Sequence, residues 1–317
     1  MTRFLSVALL LASPLSLTLT ASAQREGLIP TQVLVGVDPK STPPADASAL
    51  TVQVDDRKEP LTAWTPLTPA NVQVALLIDD GLREAVGREL DNLRNFVRNL
   101  PPGVEVMVGF MQNGRVVAEQ PFTTDHDQVA STLHLPQGMV GASASPYICL
   151  SDFVSRWHGS EQTAPTVAGL APQRKARFAI MITNGVDPYN GSTSVMNQDS
   201  PYVQAAVADA QRAGVVVSSI YFGDAGMRGG SADNSGQNYL QELTQGTGGT
   251  NFWQGVGNPV STAPFLAEFQ RTIAETYVAT FPAPTGKNPD HDLVHIKFSA
   301  GKTRLRAPSE VLPGNQE

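Results

Sequence analysis

From residue 71 onward, short and almost wholly apolar runs alternate with longer stretches whose apolar residues recur every three or four positions. That alternation fixes the class of fold open to the chain. Residues 72–78 lack the every-other-residue polarity of a strand with one wet face, and read as a strand buried on both faces. Leu82, Val86, Leu90, Leu93, Val97 and Leu100 follow at helical spacing, and Pro101-Pro102-Gly103 stops that helix. Residues 104–110 and 115–119 are strand-like and flank Met111-Gln112-Asn113-Gly114, where Asn-Gly predicts a hairpin turn. The same reasoning predicts helices over 125–133, 146–157, 201–213, 237–245 and 264–280, and strands over 178–183, 215–222 and 250–253. On the last helix Phe265, Phe269, Ile273 and Tyr277 share one face. The pattern predicts an α/β fold, a doubly wound and mostly parallel sheet with helices on both faces.

The flanks differ in character. Residues 24–70 are rich in Pro, Thr and Ala, with strand-like runs at 32–37 and 50–54 that read as edge strands or an extended arm. Beyond Pro282, residues 292–298 and 303–307 on either side of Ala300-Gly301 read as an added strand pair. At the start, Arg3 precedes an apolar run over 4–19 broken only by Ser, Thr and Pro, and Ala21-Ser22-Ala23 offers the small residues a signal peptidase accepts. The run is short for a membrane span. The expected organisation is therefore a signal peptide over 1–23, an N-terminal extension over 24–70, the α/β domain over 71–283, and a C-terminal strand pair with a tail over 284–317. A secreted or periplasmic chain starting near Gln24 follows, with no transmembrane segment after cleavage. Cys149 is the single cysteine, so no intramolecular disulfide forms and packing must supply the stability. The net charge of −7 and the scatter of basic residues, densest at Arg174-Lys175-Ala176-Arg177, argue against nucleic acid as a partner.

In a sheet of this kind, ligands bind outside the carboxyl ends of the strands. The first strand delivers Asp79-Asp80-Gly81-Leu82-Arg83 there, a small-residue loop containing Ser143 and Ser145 precedes Pro146, and the fourth strand delivers Thr183-Asn184-Gly185-Val186-Asp187. The element order, the run Val74-Ala75-Leu76-Leu77-Ile78-Asp79, the segment Ile180 to Asp187, the stretch from Ala213-Gly214-Val215 to Gly223-Asp224, and the turn Gly248-Gly249-Thr250 resemble a von Willebrand factor A domain of the exported bacterial VWFA-related type, over about 71–281. The resemblance implies a protein-binding module. It also implies a metal-ion-dependent adhesion site, built from Asp-x-Ser-x-Ser, a Thr and an Asp around a cation that takes one further oxygen from the partner. Here that pattern is eroded. Asp79 matches the first Asp, Gly81 and Arg83 stand at the two Ser positions, Ala144 falls at the Thr position with Ser143 and Ser145 beside it, and Asn184 stands at the final Asp. Magnesium demands near-octahedral oxygen donors, so no cofactor is expected; weak Mg2+ or Ca2+ binding through Asp79 is the alternative. Arg83, four residues beyond Asp79, could replace the cation by pairing with Asp79 or Asp80, while a plain helix-capping role for either Asp explains the same residues.

No other constellation carries chemistry. The five histidines have no metal-ligand spacing, no Gly-x-Ser-x-Gly elbow presents a nucleophile, and Gly246-Thr247-Gly248-Gly249 lacks the strand-before, helix-after setting of a phosphate loop. The expected function is a non-enzymatic binding or assembly module that holds a protein partner of the envelope or extracellular space through Asp79, Asp80, Arg83, Ser143, Ser145, Asn184 and Asp187. Metal-dependent adhesion through Asp79 with Ser143 or Ser145 is one alternative. An envelope hydrolase using Asp79, Asp80 and Asp187 as mutually shifted acids is the other.

Overall fold

The computed structural model describes residues 27–38, 40–44, 46–82, 84–138, 145–157, 175–189, 200–223, 230–255, 257–288 and 292–315. The signal peptide expected over 1–23 lies outside them, as do Arg83 and Ser143.

The central element is β5 (Val72–Asp79), buried at every residue. It lies between β6 (Glu105–Gln112) and β8 (Ala176–Thr183), parallel to both. Beyond β8 come β9 (Val215–Tyr221) and the short β10 (Asn251–Phe252), also parallel. β7 (Arg115–Ala118) closes the other edge antiparallel to β6, giving the order β10-β9-β8-β5-β6-β7. The expected hairpin joins β6 to β7, with Asn113 and Gly114 at φ of 50° and 79°, the left-handed pair that Asn-Gly accommodates.

Both faces of this sheet are covered, which is why its central strands are mostly apolar on both faces. On one face α1 (Leu90–Arg98), α2 (His126–Thr132) and α6 (Ala263–Ala274) bring Leu93, Phe96, Val129, Leu266 and Phe269 onto Val74, Leu76, Ile78, Val108 and Ile180. On the other, α3 (Pro146–Ser155), α4 (Pro201–Arg212) and α5 (Gly230–Thr247) bring Tyr147, Leu150, Val203, Leu240 and Leu243 onto Ala75, Leu77, Ala179, Met181 and Val217. The fold is α/β with a mostly parallel sheet, as expected.

Three elements differ from the sequence reading. The first helix begins as a 3-10 segment over Glu84–Glu89, and only Leu90–Arg98 is α-helical. Gly87 lies in the 3-10 segment under Leu135, whose Cδ2 would stand 2.5 Å from an added Cβ. The expected helix over 264–280 ends at Ala274, and β11 (Thr276–Pro284) takes over. Tyr277 continues the helical spacing, but Ala279, Phe281 and Ala283 are buried at every second position, which is strand periodicity. Finally, the expected terminal strand pair does not form a ladder: β12 (Val294–Ser299) and β13 (Leu305–Arg306) enter different sheets, linked only by the bridge Ala300↔Thr303.

The flanks join each other. β1 (Leu28–Val37) pairs antiparallel with β11 from Leu28↔Pro284 to Gly36↔Thr276, and β4 (Ala63–Pro66) and β13 complete that four-stranded sheet. β12 pairs with β2 (Thr51–Val54) and β14 (Glu310–Val311), and β3 (Arg57–Glu59) lies beside β2 in a second sheet. Val33, Val35, Val52, Val54, Phe281 and Ile296 form their shared core. Residues on both sides of the α/β unit thus build one β-sandwich, and β11, placed inside 71–283 by the sequence reading, belongs to it.

The sandwich packs against the amino-terminal edge of the central sheet. Arg306 donates to Thr250 Oγ1 at 3.1 Å and Thr272 Oγ1 at 3.3 Å, and Gln211 Nε2 donates to Gly246 O at 2.8 Å and Ser309 Oγ at 3.0 Å. Burial holds the Arg306 guanidinium below its ordinary pKa, with Asp38 and Glu275 opposing that shift. At the other end, Glu89 Oε2 accepts from Thr262 N at 2.7 Å, Thr262 Oγ1 at 2.6 Å and Asn92 Nδ2 at 2.9 Å, placing a carboxylate at the start of α6 where the helix dipole favours one.

Two outcomes are expected in urea denaturation. Arg306→Ala leaves two threonine hydroxyls without their donor and lowers stability by about 2 kcal/mol, whereas Lys302→Ala, at an exposed turn, changes it by less than about 0.5 kcal/mol. Glu89→Ala costs about 2 kcal/mol and Glu89→Gln, which keeps an acceptor oxygen, costs less; equal losses for both would show that charge, not acceptance, matters.

Candidate functional site

The β5–β8 register pairs Ile78 with Ile182, so the next residues, Asp79 and Thr183, stand side by side at the carboxyl edge. Asp79 is buried. Its Oδ1 accepts from Gly81 N at 2.9 Å and its Oδ2 from the Thr183 hydroxyl at 2.7 Å, while Thr183 Oγ1 in turn accepts from Gly185 N at 3.1 Å. Burying a carboxylate is costly unless donors replace its water, and these two do so.

The neighbouring residues each tie down a different loop. Asp80, also buried, accepts from Gln137 N at 2.8 Å and so fastens the segment before α3. Asn184 Oδ1 accepts from Val186 N at 2.9 Å within its own turn. Asp187 spans a wider gap: Oδ1 accepts from Tyr189 N at 3.1 Å and Oδ2 from Ser200 Oγ at 2.6 Å, just ahead of α4. Ser145 heads α3, fully buried, and its Oγ has no hydrogen-bond partner among the described residues. Arg83 and Ser143 lie outside the described residues, so the expected Asp79–Arg83 pair has no geometry to report.

Tyr147 connects these loops from beneath. Its ring is fully buried, and its hydroxyl donates to Gly185 O at 2.7 Å, tying α3 to the turn after β8. Burial raises the Tyr147 phenol well above its ordinary pKa, and the charges of Asp187 and then, more weakly, Asp79 add to the rise. Both carboxylates therefore act on the space around this ring. Cys149, two residues further along α3, is pushed up to about 12, first by burial and then by Asp79, so it is a packed thiol and not a nucleophile. Gly185, at φ +68°, and Gly236 of α5 meet backbone to backbone; an added Cβ on Gly185 would stand 2.5 Å from Gly236 O.

The structure thus gathers Asp79, Asn184 and Asp187 at the edge around Thr183 and Tyr147, while Asp80 faces the loop at Gln137. Among the described residues no three His, Cys, Asp or Glu side chains converge as a ligand set. The sequence reading missed Thr183, Tyr147 and Ser200. Thr183 was within reach, as the hydroxyl that ends an apolar strand, but its partnership with Asp79 needs the strand register. A cleft of about 390 Å3 lies at the opposite end of the sheet, lined by Leu67, Val72, Leu100, Val104 and Ile273, and takes in none of the expected site residues.

No family model matches this chain, and no curated protein matches it. Solved structures similar to it include the ArnB paralog VWA2 from Sulfolobus acidocaldarius, at 9% identity covering 92% of this chain and 79% of that one, with a TM-score of 0.39. The von Willebrand factor type A structure from Catenulispora acidiphila is 10% identical over 92% of this chain and 74% of its own, with a TM-score of 0.38. The pilus adhesin SpaC from Lactobacillus rhamnosus GG, in an open conformation, is 9% identical over 87% of this chain and 46% of its own, with a TM-score of 0.45. The likeness to von Willebrand factor A structures is one of fold alone.

Proposed function

We propose that this chain is an exported, non-enzymatic binding or assembly module that holds a protein partner at the carboxyl edge of its central sheet. One observation carries this reading. Among the described residues, the large apolar side chains that stay exposed, apart from Val117 on the edge strand β7, are Leu135, Tyr189, Tyr202, Trp253 and Val260, and all five sit on segments at that edge. Trp253 follows β10 at 53% exposure, and Val260, at 90%, precedes α6. Exposed aromatic and aliphatic groups collected on one face mark an interaction surface, and Trp and Tyr are the residues that most often anchor one. At the opposite edge the sandwich covers part of the sheet and leaves the cleft lined by Leu67, Val72, Leu100, Val104 and Ile273.

A tight divalent cation is not part of the proposal. Both oxygens of Asp79 and the Oδ1 of Asn184 already accept protein hydrogen bonds, and Gly81 offers no side-chain donor. Metal-dependent adhesion remains the second reading because Ser145 Oγ is buried at the head of α3 without a partner among the described residues. Hydrolysis by clustered acids is not favoured, since Asp79, Asp80 and Asp187 each accept hydrogen bonds that hold their own loops. Export rests on residues 1–23. Among the described residues, no helix is long and apolar enough to cross a membrane.

The test is capture of envelope proteins on immobilised chain spanning 24–317, with and without a chelator. A Leu135→Ser, Trp253→Ala double variant is expected to lose retained partner by about tenfold or more, while Lys58→Ala on the sandwich retains it and chelation changes nothing. Loss on chelation would move the function to the metal-dependent reading. Loss with the sandwich variant but not the edge variant would overturn the proposal.

A further inference from the structure

Two of the exposed aromatic residues form a built pair. Tyr189, after β8, and Tyr202, in the first turn of α4, meet edge to face with ring centroids 6.4 Å apart and planes at 69°. They are 55% and 37% exposed, so ring surface remains open to solvent. Ten residues separate the two short segments that carry them, yet one buried side chain holds both: Asp187 accepts from Tyr189 N at 3.1 Å and from Ser200 Oγ at 2.6 Å, two residues before Tyr202. Fixing two exposed rings before binding removes part of the ordering cost that binding would otherwise carry.

The surroundings indicate what such a pair is suited to hold. Between Phe178 and Gln211 the sequence has no Lys, Arg or His, but it has Asp187, Asp199 and Asp209. Asp187 accepts from the backbone of the segment that carries one ring and from a side chain two residues before the other, and the chain as a whole carries a net charge of −7. The face of an aromatic ring carries negative partial charge and attracts a cation placed over it. No cation within this stretch competes for the position, and an acidic partner would meet like charge.

We propose that the Tyr189–Tyr202 pair receives a lysine or arginine side chain of the protein partner, with Asp187 as the positioning residue that holds the two rings together. This rests on the reading above that a protein docks at the carboxyl edge. It assigns the partner a basic contact segment and makes the aromatic pair its anchor.

The experiment titrates chain spanning 24–317 with the capped peptide Gly-Arg-Gly-Arg-Gly and with counterparts carrying citrulline or glutamate in place of arginine, following tyrosine ring resonances. The arginine peptide is expected to bind in a salt-sensitive manner and to shift both rings, with citrulline weaker by about tenfold and glutamate inert. Tyr189→Leu and Tyr202→Leu, which keep apolar bulk, each weaken the arginine peptide by about threefold to tenfold. Asp187→Asn keeps an oxygen for Tyr189 N and weakens binding; Asp187→Ala weakens it further and loosens both rings. Equal binding of citrulline and arginine, no binding at millimolar peptide, or indifference to the leucine variants in chain with an unchanged urea midpoint overturns the inference. The leucine variants in the partner-capture experiment separate the two proposals. A partner lost with Trp253→Ala but kept with both leucine variants sinks the cation assignment alone, and a partner indifferent to every edge variant sinks the docking reading.

Discussion

The antiparallel ladder between β1 and β11, from Leu28↔Pro284 to Gly36↔Thr276, is the interaction on which the rest of the architecture depends. It joins a strand that precedes the α/β unit to one that follows it, so the central sheet is held as an insertion between two halves of a β-sandwich. Because only Glu275 separates the end of α6 from the start of β11, the sandwich cannot be displaced without disturbing that helix. The ladder also brings β13 alongside β1, which sets Arg306 against Thr250 and Thr272. The consequence for function is directional. Part of one end of the central sheet is spent on internal contact, and the loops at the other end are left to meet something else.

Those loops are organised by buried carboxylates. Asp79, Asp80 and Asp187 each trade water for backbone amides and hydroxyls, and each bond fixes a different segment: the first turn after β5, the approach to α3 at Gln137, and the two sides of the gap between Tyr189 and Ser200. A carboxylate with two good donors keeps its charge in a buried place. The same residues therefore shape the edge, and the Tyr147 phenol, raised first by its burial, is raised further by the charges of Asp187 and Asp79. Each of the three carboxylates chosen from the sequence thus makes hydrogen bonds within its own chain.

The central sheet was legible because its signal is local. Continuous burial leaves runs such as 74–78 and 178–182 apolar along their whole length, and the Asn113-Gly114 turn carries its conformation in two residues. The sandwich was not legible for the opposite reason. Apart from the local pairings of β2 with β3 and β12 with β14, its ladders connect residues more than two hundred positions apart, as in Thr31↔Phe281 and Val52↔Phe298, and nothing in a window of ten or twenty residues announces them. Tyr277 shows how local reading fails at such a place: it stands four residues after Ile273, in perfect helical step, yet its ring stacks on Trp64 of β4 at a centroid distance of 4.5 Å.

The site divides along the same line. That Asp79, Asn184 and Asp187 would gather at one edge followed from strand ends alone, since parallel strands deliver their last residues to the same side. What each carboxylate does there depended on register and on contacts between loops. Thr183 meets Asp79 only because β5 and β8 are aligned at Ile78 and Ile182, and Asp187 reaches Ser200 only because α4 begins beside the end of β8. Sequence reasoning looked for an external charge to balance Asp79 and weighed Arg83 or a cation for that role. Two hydrogen-bond donors within three ångströms, Gly81 N and the Thr183 hydroxyl, take part of that role from within the chain.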